Sequence, residues 1–223
     1  MRDVNIETSS GGGSSARVAG LPLGRVALPG VPMEFERNAE IFGAGEPALH
    51  LYRIVRGVVR TMRFSADGRR QILAFHMAGD IIGLEMGATY EYSAEAVTPC
   101  ELVLVRRSLV EKALGEDISA AQALLRLASA ELQQAHEHAL MLGKKGAGER
   151  VAAFLLKLAN RLTGECELDL PMSRLDIADY LALTIETVSR AFTQMERDRA
   201  IALPSSRHVV VRDRSALEAL QAA

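Results

Sequence analysis

The chain has 223 residues and a formal net charge of −2, so it can form one large or two modest domains and lacks a basic excess that would indicate nucleic-acid binding. No apolar run approaches the ~18 residues of a membrane span, and the N-terminus lacks the apolar segment of a signal peptide. The two cysteines, Cys100 and Cys166, are far apart and form no metal-binding or redox spacing, which favours a reducing, cytoplasmic compartment.

The predicted elements begin with an N-terminal arm. Residues 1–33 are rich in Gly, Ser and Pro, with the run Ser9–Ser15 at their centre, and this composition predicts a disordered segment. Short apolar runs broken by glycines follow as far as Arg107, and Ser65–Arg69 contains Asp-Gly, a strong hairpin signal. Regularly spaced short strands predict a double-stranded β-roll or jelly roll, which we assign to residues 34–116.

A long helix is predicted over residues 117–143. Its apolar residues recur at alternating steps of three and four, an unbroken heptad seam over about 37 Å. The alternative, a helix buried within its own domain, is less favoured because the repeat holds at about 3.5 residues without drifting. We therefore predict a dimerisation helix whose interface consists of Ile118, Ala121, Leu125, Ala128, Leu132, Ala135, Ala139 and Leu142.

Residues 144–223 begin at a glycine-rich hinge candidate, Gly143–Gly148, and later carry two short helices joined by a tight turn. The first helix is predicted from about Arg174 to Leu181, with Ser173 as its cap, and Thr184 is the predicted cap of the second. Helical spacing predicts that these two helices bury Leu175, Ile177, Ala178, Leu181, Val188, Phe192 and Met195.

A second face of the second helix carries Glu186, Ser189 and Arg190 at i, i+3 and i+4. Near the N-terminus of a helix in the major groove, Arg matches guanine, Glu accepts from cytosine and Ser serves several bases. The alternative is an ordinary surface helix with a Glu–Arg pair. That alternative loses weight because Ile201–Leu203 and Val209–Arg212 flank a polar turn and predict a hairpin, which would complete a winged helix.

Local charge in this region is nearly balanced. From Pro171 to Arg214 there are seven Arg and six acidic residues, so affinity for DNA would have to come from where the arginines lie and not from bulk charge. At the tip of the predicted hairpin, Arg207 and His208 are placed to reach phosphate.

Three segments of the chain carry a family resemblance. Leu183–Arg190 contains the pattern Glu-x-x-Ser-Arg, Glu149–Phe154 precedes it, and a glycine pattern lies near the N-terminus. From about Glu40 to the C-terminus the chain resembles the CRP/FNR family of bacterial transcription regulators, most of all its FNR and FixK branch. This resemblance implies an α+β fold with an N-terminal β-roll, a long dimerisation helix and a C-terminal winged helix-turn-helix. Ala182 departs from the family, which usually has Gly there, and would be strained in a turn of positive φ.

The resemblance implies a homodimeric, sequence-specific transcription regulator of the cytoplasm that binds double-stranded DNA, works with RNA polymerase and has no membrane partner. It implies activation mainly of genes for low-oxygen metabolism, at sites of the form TTGAT-N4-ATCAA with one subunit per half. Expected base contacts are Glu186, Ser189 and Arg190, and expected phosphate contacts are Thr184, Thr187 and Arg174.

Neither effector known from the family is expected here. Residues 1–99 contain no cysteine, so an iron–sulfur cluster of the FNR kind is excluded, and we expect no cofactor. Members that bind cyclic nucleotides have Gly-Glu-Leu where this chain has Gly83–Glu85, and Arg-Ser-Ala where it has Tyr92–Ala94. Because Tyr92 lacks the guanidinium that holds a cyclic phosphate, we interpret the nucleotide pocket as vestigial.

Two alternatives of other classes stay open. In the first, the β-roll binds an unidentified small molecule that gates DNA binding. In the second, the roll is a cupin-type metalloenzyme, which would need a His-x-His within its strands and further ligands. The roll has only His50 and His76, while His136 and His138 lie at i and i+2 of a helix, point apart and are interpreted as solvated.

Overall fold

The computed structural model describes residues 20–85, 87–144, 146–162 and 166–222, in which a β-roll, a long helix and a winged helix-turn-helix follow one another. The roll contains β1 (Gly20–Leu23), β2 (Val26–Pro29), β3 (Val31–Phe35), β4 (Glu40–Phe42), β5 (His50–Arg56), β6 (Val59–Phe64), β7 (Arg70–His76), β8 (Ile81–Ile82), β9 (Ser93–Ala96) and β10 (Cys100–Arg106). The helices are α1 (Arg107–Glu116), α2 (Ile118–Lys144), α3 (Ala147–Arg161), α4 (Arg174–Leu181), α5 (Ile185–Arg197) and α6 (Arg214–Ala222). The C-terminal sheet contains β11 (Glu167–Asp169), β12 (Ile201–Ala202) and β13 (His208–Val211).

Two four-stranded antiparallel sheets form the body of the roll. Their strand orders are β3-β10-β5-β8 and β4-β9-β6-β7. Successive side chains of a strand point to opposite faces, so each sheet turns alternate residues inward. Ile54, Val59, Ile82 and Leu102 are fully buried and belong to one cluster between the sheets. The predicted α+β fold with an N-terminal β-roll is confirmed.

The first hairpin shows that the prediction of a disordered arm is wrong for residues 20–33. Strands β1 and β2 pair antiparallel around Gly24, which has a φ of +63°, and β3 pairs with β10 in the roll. A low-complexity composition did not reveal this hairpin because its stability comes from distant contacts. Its apolar side chains pack against β10, α1 and the start of α2, and the buried ones are Leu21, Leu23 and Leu28. Residues 1–19 lie outside the described residues.

Helix α2 spans 27 residues, and its heptad seam is exposed in the single chain. Ile118, Leu125 and Leu132 are 77%, 68% and 57% exposed. The neighbouring face of the helix packs through Leu124 and Leu127 against the cluster that contains the first hairpin. The seam is therefore not buried within its own domain. None of the helices in the described ranges combines the length and hydropathy of a bilayer-spanning segment.

In the C-terminal domain, α3 packs against α5 and α6, and the antiparallel sheet β11-β13-β12 lies beside them. Both predicted helices and the hairpin are present, and Ile177, Ala178 and Leu181 are buried as predicted. Leu175 is 51% exposed, so its predicted burial is wrong. At about 3.6 residues per turn, a position two residues before Ile177 lies roughly 200° away, on the opposite side of α4.

The roll and the C-terminal domain share a single hydrophobic cluster. Ile72, Phe75 and Met77 of the roll belong to the same cluster as Phe154 of α3 and Tyr180 of α4. The Phe75 ring centroid lies 5.4 Å from that of Tyr180 and 6.3 Å from that of Phe154. The hinge candidate separates α2 from α3 in the chain, yet side chains of the roll pack directly on α4.

Candidate DNA-binding interface

The helix-turn-helix is built from local hydrogen bonds that the sequence predicts. Ser173 caps α4, since its hydroxyl accepts from the backbone N–H of Asp176 and the Asp176 carboxylate accepts from the backbone N–H of Ser173. Thr184 caps α5 by accepting from the N–H of Thr187 at 3.2 Å. Between the helices, Ala182 adopts φ 51° and ψ 49°, the left-handed region. The turn therefore does require the positive φ at which alanine is strained.

Replacing Ala182 by glycine is expected to raise the free energy of unfolding by about 0.5–1 kcal/mol, because glycine has no Cβ to clash in a left-handed turn. Urea denaturation followed by circular dichroism measures it. Ala130→Gly, at an exposed position inside α2, is the matched control and should lower stability by about 1 kcal/mol. A loss of stability in Ala182→Gly would show that the turn does not strain this residue.

The predicted reading face of α5 is exposed to solvent. Glu186, Ser189 and Arg190 are all exposed, whereas Val188 and Phe192 on the other side of the helix are buried. The Ser189 hydroxyl donates to the carbonyl of Ile185 at 2.8 Å, and Arg190 donates to the Thr187 hydroxyl at 3.3 Å. The structure therefore brings Glu186, Ser189, Arg190, Thr184 and Thr187 together at one end of α5.

The charge state of Glu186 suits an acceptor. Hydrogen bonds from its own backbone N–H and from Thr184 lower the pKa of Glu186 below its usual value, and the nearby Arg190 charge adds to this. The side chain is an ionised carboxylate at neutral pH. It can accept from the exocyclic amine of cytosine, while Arg190 beside it has the fork geometry for guanine.

Arg174 does not join the other predicted contacts. Its guanidinium carbon lies 3.2 Å from the centroid of the Phe192 ring, a cation–π contact between α4 and α5. Burial lowers the pKa of Arg174 to about 10. In this arrangement Arg174 packs the two helices together, and its contact with phosphate stays a prediction.

Ile185 was missed by the sequence analysis. It is the first residue of α5, directly before Glu186, and its side chain is 40% exposed. Ile185 precedes Val188 by three positions, so helical spacing assigns it to the buried face, and only the structure shows it on the surface. An exposed aliphatic side chain at this end of a recognition helix can contact the methyl group of thymine.

The predicted phosphate contacts of the wing, defined as β12, β13 and their connection, separate in the structure. Arg207 is exposed in the connection, where its backbone N–H donates to the Ser205 hydroxyl. His208 is the first residue of β13 and half-buried, and its Nδ1 lies 2.7 Å from the carboxylate of Asp169 on β11. Arg207 is therefore free to face DNA, whereas His208 is held on the neighbouring strand.

Aromatic side chains fill the interior of the roll where a cyclic nucleotide would have to enter. The Phe42 ring stacks on Tyr90 with centroids 3.9 Å apart and lies 5.8 Å from Tyr92. Glu85 faces the same region, and burial raises the pKa of its carboxyl, which is close to Tyr92 and Glu131. An acid beside a phenol offers no cation for a cyclic phosphate, which supports the interpretation of a vestigial pocket.

The four histidines that the sequence analysis considered do not assemble a metal site. No group of three or more His, Cys, Asp or Glu in the described residues has the geometry to hold a metal ion. His76 bonds the Thr61 hydroxyl at 3.1 Å. The prediction that His138 is solvated is wrong, because its ring stacks on Tyr180 at 4.1 Å and its Nε2 donates to the Tyr180 carbonyl at 2.9 Å.

Two protein families match this chain in the positions that the fold suggests. Residues 149–220 match the Crp-like helix-turn-helix domain. Residues 32–117 match the cyclic nucleotide-binding domain. The first match covers the winged domain, and the second covers the roll from β3 to the end of α1.

Relatives of known identity align over most of the chain. It is 50% identical over 213 residues to the nitrogen fixation regulation protein FixK of Azorhizobium caulinodans, covering 93% of this chain and 86% of that protein. It is 38% identical to FixK of Rhizobium meliloti, covering 86% and 88%. The solved structure of FixK2 from Bradyrhizobium japonicum superposes with a TM-score of 0.85 at 44% identity, covering 88% of this chain and 99% of that one. The chain therefore belongs to the CRP/FNR family of transcription regulators, in its FixK-like branch, and is a DNA-binding regulator and not an enzyme.

Proposed function

We propose that the protein is a homodimer that binds a palindromic DNA site, with one subunit on each half. The observation that carries this proposal is the exposed face of α5, where the carboxylate of Glu186, the hydroxyl of Ser189 and the guanidinium of Arg190 point to solvent. A helix of this kind fits the major groove, where these groups can reach base edges. The exposed seam of α2 supports the dimer, because an apolar heptad stripe is stabilised by a partner helix.

The proposed site has the form TTGAT-N4-ATCAA. Arg190 would read the guanine, Glu186 the cytosine paired with it, and Ile185 a thymine methyl group. Thr184, Thr187 and Arg207 would contact phosphate and fix the helix in the groove. We propose further that the bound dimer mainly activates genes of low-oxygen metabolism through RNA polymerase in the cytoplasm. The regulatory roles in the names of the FixK relatives support this assignment.

A footprint tests the proposed site directly. Purified protein prepared in air is incubated with genomic DNA fragments, with and without small molecules, and the protected sequences are aligned. Protection of TTGAT-N4-ATCAA-like palindromes, with both halves covered, is the expected outcome. Protection of single halves or of unrelated sequences contradicts the proposal.

Replacing Arg190 by alanine is expected to weaken binding to the palindrome by about 1–3 kcal/mol per contacted half-site and binding to random DNA far less, because a base contact discriminates between sequences. Fluorescence anisotropy on both duplexes at one salt concentration measures the difference. Arg207→Ala is the matched control and should weaken both duplexes to a similar extent. Equal losses on both duplexes for Arg190→Ala would make Arg190 a phosphate contact.

A second candidate function is effector-gated regulation, which one cavity favours. A cavity of about 420 Å³ lies between β7, α2, α3 and α4, with mostly apolar walls that include Phe75, Tyr180 and Leu158. Lys157 faces it, and burial lowers the pKa of this ammonium group. A ligand here would touch the roll and the DNA-binding domain together. A thermal-shift screen of small organic acids, with cyclic AMP as the expected negative, separates this candidate from a regulator without effector.

A further inference from the structure

Helix α4 makes a set of contacts with the roll and with α2 that local helix formation does not require. At its N-terminal end, Arg60 Nη1 lies 3.0 Å from Asp176 Oδ1, and Arg70 Nη2 lies 2.7 Å from the same oxygen. Arg70 Nε also donates to Asp179 Oδ2 at 2.7 Å. Two arginines on neighbouring strands of the roll therefore bind two carboxylates one turn apart on α4.

The C-terminal end of α4 is held by three other side chains. The last carbonyls of a helix have no partner within the helix, so each needs an external donor or water. Gln71 of β7 donates to the carbonyl of Asp179 at 2.6 Å, His138 of α2 to that of Tyr180 at 2.9 Å, and Arg150 of α3 to that of Leu181 at 2.9 Å. Three consecutive carbonyls thus bind three different elements, one of which carries the predicted dimer seam.

These contacts are buried, which makes their geometry specific. The side chains of Arg60 and Asp176 are 9% and 7% exposed, and those of Arg70 and Asp179 are each 20% exposed. Charged hydrogen bonds shielded from water are stronger and more directional than surface ion pairs. Between the two ends, the Tyr180 ring contacts Phe75 of the roll and stacks on His138. We name this set of residues, Arg60, Arg70, Gln71, His138 and Arg150, the α4 clamp.

We propose that the α4 clamp positions the two recognition helices at a fixed separation and so determines which half-site spacing the dimer accepts. The proposal rests on the proposed function as a palindrome-binding dimer. Helix α5 packs on α4 through a tight turn, so an α4 bound to the roll and to α2 fixes α5 relative to the dimer axis. The clamp residues contact no base, and their role is to position Glu186, Ser189 and Arg190. Here the roll holds the DNA-binding domain by ion pairs and requires no bound effector for it.

Two variants weaken the clamp without removing the cap of α4. Asp176 also caps the helix, so we choose Arg70→Gln and Asp179→Asn, which each remove one charge from the Arg70–Asp179 pair. The double variant Arg70→Asp with Asp179→Arg reverses that pair and should restore it. Glu218→Gln is the matched control, since it removes an exposed ion pair with Arg214 on α6 of the same domain.

Binding is measured on three palindromes with the N4 spacer, one base pair less and one base pair more, alongside sedimentation. Wild type and Glu218→Gln should be dimers that prefer N4 by about tenfold or more, because half-site spacing follows dimer geometry. Arg70→Gln and Asp179→Asn should stay dimeric, with the preference reduced to about threefold or less, and the reversed pair should recover it. If both single variants keep the wild-type preference, or lose affinity equally at all spacings, the clamp does not set spacing. A wild type that is monomeric or ignores the palindrome would instead refute the proposed function.

Discussion

Alanine in place of Asp176 is expected to lower the free energy of unfolding by about 3 kcal/mol, through loss of a buried ion pair and of a helix cap. The cap alone is worth about 1 kcal/mol. The remainder comes from Arg60, which would stay buried with Glu95, at 2.8 Å, in place of two carboxylates. That remaining partner keeps the loss at the lower end of the range of about 3–5 kcal/mol for breaking a buried pair.

Urea unfolding monitored by circular dichroism measures this loss, and pH provides an internal check. Burial by itself would raise the pKa of Asp176, but hydrogen bonds from Ser173 and the charges of Arg60 and Arg70 outweigh it and lower the pKa. A lowered carboxyl pKa gives stability that is complete above the unfolded value of about 3.9 and is lost as pH falls through the folded value.

The stability difference between wild type and Asp176→Ala should therefore be constant near neutral pH and shrink below about pH 4. Glu218→Gln, which loses only an exposed ion pair, should change stability by less than about 1 kcal/mol at any pH. A difference for Asp176→Ala that is below about 1 kcal/mol at pH 7, or that grows on acidification, would contradict the role of Asp176 as an ionised, buried partner.

The helix-turn-helix could be predicted nearly to the residue because its signals are local. Ser173 and Thr184 cap the helices that follow them, and Val188, Phe192 and Met195 are buried as their spacing predicts. Caps and helical periodicity depend on residues within four positions of one another, which a sequence displays directly. The same local information indicated that Ala182 occupies a turn of positive φ.

Contacts between distant segments could not be predicted in this way. The α4 clamp joins Arg60 and Asp176, which are 116 positions apart, and nothing near either residue indicates its partner. The hairpin of β1 and β2 escaped for the same reason, since its leucines are buried by residues from Leu51 to Ala120. Its sequence, judged alone, has the composition of a disordered arm. Ile185 and His138 were misjudged because exposure depends on what packs nearby.

The α2 seam leads to the prediction with the largest expected effect, dissociation of the proposed dimer by one charge. Leu132 is 57% exposed in the single chain and lies near the middle of the stripe from Ile118 to Leu142. The seam contains only aliphatic and alanine side chains, so it has no charge that an effector would have to neutralise before two copies associate. A chain without an iron–sulfur ligand set should therefore dimerise in air and without effector, and its control should lie in how much of it is made.

Aspartate in place of Leu132 should leave the protein largely monomeric and unable to shift a TTGAT-N4-ATCAA duplex. Two carboxylates would face each other across the two-fold axis in an apolar strip, at a cost of several kcal/mol in desolvation and repulsion. Ala130→Asp is the matched control, because residue 130 is exposed on the opposite side of α2 and should leave both dimer and DNA shift intact. Sedimentation and gel shift on protein prepared in air measure both properties. A wild type that sediments as a monomer, or binds only after anaerobic reconstitution, would contradict constitutive dimerisation, because the exposed seam alone would then not suffice to hold two copies together.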